Sequence, residues 1–334
     1  MRLLLIAALL ALPFALPTVG TWAAEIEAPG PEGALRGTLA GPVGTDAPVV
    51  LMIPGSGTSD RDGNQLPHIR AATLRLLAEG LGARGIVTAR VDKRGLSGSS
   101  EAASDPEAVT LADYADDARA WIKVLREKTG VSCVWILGHS EGGLVALKAA
   151  TVDADGICGL LLAAAPGRPL GVLLREQFQQ GLPEDNPLRQ PTLDALETIL
   201  VKLEAGQPAD VSGVNPQLAA IFRPSVQPFL IDLLAHDPAK MIAQVTLPVL
   251  ILQGTRDLQV TMNDAEVLAA ARPDARLVRL EGVNHMFKPA PAEREGNLAA
   301  YADPDLPLAD GVVAAVAETV LDGTGPTSPR SPVQ

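Results

Sequence analysis

The chain has 334 residues, 47% of them hydrophobic, so it can bury one substantial core and reads as neither disordered nor fibrous. Its formal net charge of −12 argues against an electrostatic footprint on nucleic acid or anionic lipid, because both carry the same sign. The expected partner is a small molecule.

The amino terminus addresses the compartment. Met1 and Arg2 precede an apolar run from Leu3 to Leu16, and mostly small residues follow around Thr21 to Ala24. This is the pattern of a cleaved signal peptide over residues 1–24. The other reading is an uncleaved anchor, but Pro13 and Pro17 interrupt the run, which falls short of the roughly 20 residues that span a bilayer. The mature chain is therefore expected to be secreted or periplasmic, with no stable membrane insertion.

Glu25 to Gly41 carries glycine and proline between short mixed runs, consistent with an opening hairpin. The pattern then becomes periodic. Val49 to Ile53 reads as a buried strand, His68 to Leu81 as a helix, Ile86 to Val91 as a strand and Leu111 to Thr129 as an amphipathic helix. Val134 to Leu137 (strand), Glu141 to Thr151 (helix) and Leu160 to Ala164 (strand) continue the alternation. Continuous apolar strands alternating with helices predict a mostly parallel sheet covered on both faces.

From about residue 167 to 243 the rhythm stops. The segment is rich in proline, glutamine and leucine, with helical stretches near Leu193 to Glu204 and Pro228 to Leu234 and no convincing strand, so it is a candidate helical cap. The sheet pattern resumes with the strand Val249 to Gln253, the helix Asp264 to Ala271, the strand Arg276 to Leu280 and a closing helix through Leu308 to Leu321. Thr324 to Gln334, rich in proline and serine, is expected to be disordered.

Cys133 and Cys158 are the two cysteines, each just before an apolar run. If those runs are neighbouring parallel strands, the thiols meet at one end of the sheet and can bridge in an oxidising compartment; two buried free thiols are the alternative.

The chemistry centres on Gly138-His139-Ser140-Glu141-Gly142, a G-x-S-x-G placed between a strand and a helix. A sharp turn there needs small neighbours and lifts the Ser140 hydroxyl above the sheet edge. A serine hydroxyl is a weak nucleophile, so it requires a base and a group that holds the base. In this arrangement an acid follows a late strand and a histidine follows the next, and Asp257 and His285 fill those slots. Of the other histidines, His139 is too close to Ser140 in sequence to reach its hydroxyl easily, and His68 and His236 flank helices elsewhere. Asp264 rivals Asp257 but reads better as the cap of its own helix.

The developing oxyanion needs backbone donors. The Glu141 N–H supplies one by position, and Pro54-Gly55-Ser56-Gly57 supplies the other, with Ser56 the first choice and Gly57 the second. The Glu141 side chain reads as a first-turn carboxylate favourable to the helix dipole. Asp60-Arg61-Asp62-Gly63-Asn64 has an EF-hand flavour, but its glycine is two positions early and Ala71 stands where the bidentate Glu belongs, so it is not read as a calcium loop. Its charges are expected to hold the oxyanion loop in shape, with Arg94 of Asp92-Lys93-Arg94-Gly95 as partner.

Taken together, these motifs, with Gly254, Asp257, Val260, Asn284-His285 and Phe222 to Pro228, resemble bacterial α/β-hydrolases of the EstD-like carboxylesterase type, often described as serine aminopeptidase-like. The resemblance runs from Val49 to the end, with Pro54 departing where many relatives carry histidine. It implies an α/β-hydrolase fold with a helical cap, Ser140, Asp257 and His285 as triad, and hydrolysis of short to medium acyl esters through an acyl-enzyme. No cofactor or metal is implied. An aminopeptidase, amidase or thioesterase on the same triad is the alternative, and a noncatalytic ligand-binding protein of this fold is the alternative from another class.

Overall fold

The computed structural model describes residues 21–42 and 47–323. The apolar run Leu3 to Leu16 and the tail Thr324 to Gln334 lie outside the described residues.

Eight strands form one sheet: β1 (Thr21–Pro29), β2 (Ala34–Pro42), β3 (Val49–Ile53), β4 (Val87–Val91), β5 (Val134–His139), β6 (Ile157–Ala163), β7 (Val249–Gly254) and β8 (Arg276–Leu280), in the order β1-β2-β4-β3-β5-β6-β7-β8. The hairpin β1–β2 is antiparallel and joins β4 antiparallel, while β3 to β8 are mutually parallel. The expected hairpin is present and begins at Thr21, inside the stretch of small residues.

Two cores flank the sheet, and the strand period of two sorts side chains between them. Val49, Leu51 and Ile53 of β3 face one core, with Val134 and Ile136 of β5; Val50 and Met52 face the other, with Trp135 and Leu137. The first core is closed by α2 (Leu111–Thr129), α3 (Glu141–Val152) and α9 (Met262–Ala271). The second is closed by α1 (Thr73–Gly82) and α11 (Val312–Asp322). Burial on both faces explains why these strands are continuously apolar.

α2 starts and stops where its end signals lie. Thr110 and Asp113 form a reciprocal capping box, and Gly130 closes the helix in the left-handed region at φ 78°. α1 starts five residues later than predicted: Gln65 and Ile69 pair in an isolated bridge and Ala72 adopts φ 50°, so the chain cannot be helical from His68.

Between β6 and β7 lie α4 (Leu170–Gly181), α5 (Arg189–Glu204), α6 (Pro216–Ile221), α7 (Gln227–Leu234) and α8 (Pro238–Ile242), so the predicted cap region is helical and holds more helices than expected. Phe178, Leu196, Ile199, Leu203, Leu218 and Phe222 give it a small core of its own. Gln227, 2% exposed, ties it together by accepting from the Ala209 N–H and donating to the Ala209 and Phe222 carbonyls. α10 (Arg294–Ala299) lies on the loop between β8 and α11.

Cys133 and Cys158 form a disulfide, Cα to Cα 5.2 Å, at the amino-terminal ends of the neighbouring strands β5 and β6.

Candidate active site

The loops that follow the carboxyl ends of β3, β5, β7 and β8 converge on one cleft. β5 runs into α3 through Ser140, whose backbone stands at φ 54° and ψ −123°, a strained conformation for a residue with a Cβ. The two motif glycines leave the room this turn needs. A Cβ on Gly138 would sit 2.1 Å from the Gly142 carbonyl oxygen, and one on Gly142 would sit 2.5 Å from that of Ile53. The turn is fixed by the Ser140 N–H donating to the Ala163 carbonyl at 2.9 Å and the Gly143 N–H donating to the Ser140 carbonyl at 2.8 Å.

Asp257 follows β7 and His285 follows β8, and the structure brings them together: the His285 ring Nδ1 lies 2.7 Å from Asp257 Oδ2. A carboxylate only accepts, so Nδ1 carries the proton and Nε2 is left as the basic nitrogen. Asp257 also accepts from Gln253 Nε2 at 3.0 Å and from the Gln259 and Val260 N–H groups at 2.8 and 2.9 Å. Four donors offset the cost of burying a charge that is only 7% exposed.

The loop that presents His285 is shaped by Asn284, which is fully buried. Its Oδ1 accepts the Met286 and Lys288 N–H groups at 3.0 and 3.1 Å. His139 packs behind the base, its Nε2–H donating to the His285 carbonyl at 2.9 Å. Full burial drives its pKa down to about 4, with a further push from the neighbouring imidazole.

Ser140 and His285 line a cleft of about 370 Å³, its open mouth included, with Gly55, Ser56, Ser59, Gln65, Gln259 and Met286 around them. Gly55 lies against the nucleophile, since a Cβ built on it would stand 3.2 Å from that of Ser140. Ser56 lines the cleft and Gly57 does not. Neither the Ser56 nor the Glu141 backbone N–H donates to another group among the described residues. No residue of the cap lines this cleft among the described residues; the cap's aliphatic side chains pack into its own core or, as with Leu233, Met241 and Ile242, onto the first core of the sheet.

Three expectations about charges are corrected. Arg94 does not hold the oxyanion loop: it grips α2 through two 2.7 Å bonds to the Asp117 carboxylate and one to the Asp113 carbonyl. The loop is held by Arg61, whose N–H and Nε donate to Asp92 at 2.8 and 2.9 Å, and by an Arg90–Asp62 ion pair. Glu141 does not simply face the helix dipole, because its carboxylate meets the buried Lys93 ammonium at 3.1 Å. Asp264 is the third helical residue of α9 and Thr261 is the cap; the carboxylate also binds Arg168.

Sequence reasoning passed over Lys93, Gln253 and Asn284. Lys93 stood inside the noted Asp92-Lys93-Arg94-Gly95 motif, and its place just after β4 was the available signal. Gln253 and Asn284 were flanking letters whose contacts depend on the fold.

Comparison with known proteins follows the same lines. The model of the alpha/beta hydrolase family matches residues 50–300. The chain belongs to the alpha/beta hydrolase family. Esterase EstD of Thermotoga maritima is 28% identical to this chain over 247 residues, 72% of this chain and 54% of that protein, so this chain spans about half the length of that relative. Est1E from Butyrivibrio proteoclasticus superposes with a TM-score of 0.58 at 18% identity, covering 90% of this chain and 98% of that one. Proline iminopeptidase from Mycobacterium smegmatis gives a TM-score of 0.59 at 16% identity with the same coverage. At such identities these two likenesses speak for the fold alone.

Proposed function

We propose that this hydrolase is a carboxylesterase in which Ser140 is the nucleophile, His285 the general base and Asp257 the group that orients the base. The observation that carries the reading is the 2.7 Å bond from His285 Nδ1 to Asp257, which leaves Nε2 free in the cleft that Ser140 also lines. Ser140 Oγ attacks the ester carbonyl while Nε2 takes its proton, and the tetrahedral oxyanion rests on the Ser56 and Glu141 N–H groups. The imidazolium returns the proton to the leaving alkoxide. Water, deprotonated by the same nitrogen, then releases the acid and restores Ser140. A relative named as an esterase supports the same reaction class.

The lining supports esters with short acyl groups. Ser56, Ser59, Gln65 and Gln259 make much of the cleft's wall polar, which leaves little apolar surface for a long aliphatic chain. An aminopeptidase needs a carboxylate for the substrate's free amine, and none lines the cleft among the described residues. We also propose that the protein is exported: the apolar run after Met1 and Arg2 and the Cys133–Cys158 bridge both support an oxidising compartment.

The test pairs fluorophosphonate labelling with hydrolysis of p-nitrophenyl esters of graded length, for wild type and Ser140→Ala. Labelling and turnover are expected to vanish in the variant, with acetate and butyrate cleaved faster than octanoate. A wild type that neither labels nor turns over any ester would remove the reading.

A further inference from the structure

We infer that Lys93 is a positioning residue for the oxyanion hole, holding both of its backbone donors from behind with one buried ammonium. The inference rests on the esterase reading above and adds to it a residue that does not touch substrate.

The sheet order β4-β3-β5 sets three loops side by side: Lys93 after β4, Gly55 after β3 and Glu141 after β5. Lys93 is 6% exposed, and its Nζ donates to the Gly55 carbonyl at 2.8 Å and to Glu141 Oε1 at 3.1 Å. The same nitrogen lies over the Tyr114 ring, 5.4 Å from its centre.

The Gly55 carbonyl and the Ser56 N–H belong to one planar, trans peptide unit, so they point in opposite directions. Anchoring the carbonyl on an ammonium therefore fixes where the Ser56 N–H aims. A charge-assisted bond to the carbonyl also polarises the amide and strengthens its N–H as a donor. At its other contact Lys93 grips the side chain of Glu141, whose own N–H is the second donor and opens α3. One cation thus sets the spacing between the two donors, and donors fixed before the reaction need no reorganisation as negative charge develops. Its benefit appears in the transition state more than in substrate binding.

The test must separate positioning from folding, because removing one partner of a buried pair strands the other. Lys93→Met/Glu141→Met removes both charges at nearly constant volume and keeps both backbone donors; Lys93→Met alone is the second variant. With p-nitrophenyl acetate, kcat is expected to fall roughly 10- to 100-fold, less than the loss of a whole donor, with KM within about threefold of wild type. Affinity for a trifluoromethyl ketone, which forms a tetrahedral adduct, should fall in the same proportion. A folded variant, by circular dichroism and melting, that keeps kcat within threefold of wild type would overturn the inference, as would a loss confined to KM. Wild-type turnover and its abolition by Ser140→Ala test the esterase reading independently, so the two failures are distinguishable.

Discussion

His139 donates its Nε2–H to the backbone carbonyl of His285 at 2.9 Å, and the two imidazole rings lie 4.9 Å apart. The residue beside the proposed nucleophile therefore supports the loop that carries the proposed base. Two loops from different strands are joined by one bond, and the bond requires the neutral Nε2–H tautomer or the cation, since a carbonyl only accepts.

Replacing His139 by Phe tests this support and also removes a buried titration. The folded-state pKa of His139 is depressed from 6.5 to about 4, so its neutral form is the folded form. Above pH 6.5 it carries no proton in either state, and as the pH falls from 6.5 toward 4 the unfolded chain gains a proton that the folded one refuses, which destabilises the fold. From pH 7.5 to 4.5, wild type should lose roughly 2 to 3 kcal/mol more unfolding free energy than the variant. Urea melts at the two pH values measure it. At pH 7.5 the orphaned His285 carbonyl should lower kcat about tenfold; equal pH slopes for the two proteins would count against a buried neutral His139.

Asp257→Asn should leave a folded protein with little activity. The amide presents an NH₂ where two of the four donors now point; with its oxygen kept on the Gln259 and Val260 N–H groups, that NH₂ faces His285 and Nδ1 must become the acceptor. A loss of roughly 10⁴-fold in kcat with KM little changed is expected, by the logic that the wrong tautomer leaves Nε2 without a lone pair for the serine proton. Fluorophosphonate labelling should slow in parallel. Labelling at the wild-type rate would mean that His285 is oriented by something else.

Much of this site was legible because its chemistry is tied to chain order. Ser140, Asp257 and His285 each follow an apolar strand, and strands buried on both faces announce themselves as continuous Val, Leu and Ile runs, as in Val49–Ile53 and Val249–Gly254. α2 was legible to the residue because Thr110 and Gly130 mark its ends chemically. β6 began three residues earlier than expected, at Ile157, because Cys158 and Gly159 lack the strand signature and are held by the disulfide and by pairing with β5. The cap helices α4, α6 and α8 were missed because they are held by packing around residues such as Phe178 and Leu218 rather than by a strong period. The contacts of Lys93, and the exchange of Arg94 for Arg61, depend on three adjacent loops and on no local pattern.

The oxyanion loop should be held in place chiefly by Arg61 and Asp92. Asp92 is 3% exposed and takes bonds from the Arg61 N–H and Nε and from the Gly98 N–H at 2.8, 2.9 and 3.1 Å. Asp92→Ala leaves Arg61 with Glu25 and Thr38 as its partners and the Gly98 N–H without its acceptor, and is expected to cost about 3 kcal/mol, lowering the melting temperature by about 5 to 10 °C. Asp62→Asn, at a more exposed pair with Arg90, should cost about 1 kcal/mol or less. Differential scanning calorimetry of both variants decides the ranking, and equal losses would show that the two pairs act as one network.

The disulfide stands at the opposite end of the sheet from the cleft. Cys133 precedes β5 and Cys158 is the second residue of β6, whereas Ser140 follows the carboxyl end of β5, seven residues and about 23 Å further along the chain. The bridge closes a loop of sequence separation 25, for which chain entropy in the unfolded state predicts a contribution of about 3 kcal/mol. Cys133→Ser/Cys158→Ser should therefore lower unfolding free energy by that order while leaving kcat and KM unchanged at temperatures where it stays folded. Alkylation of the denatured wild type without reductant should add no mass, and with reductant it should add two equivalents. Full alkylation without reductant in protein recovered from an oxidising compartment would show that the thiols stay free, and would remove one of the two supports for export.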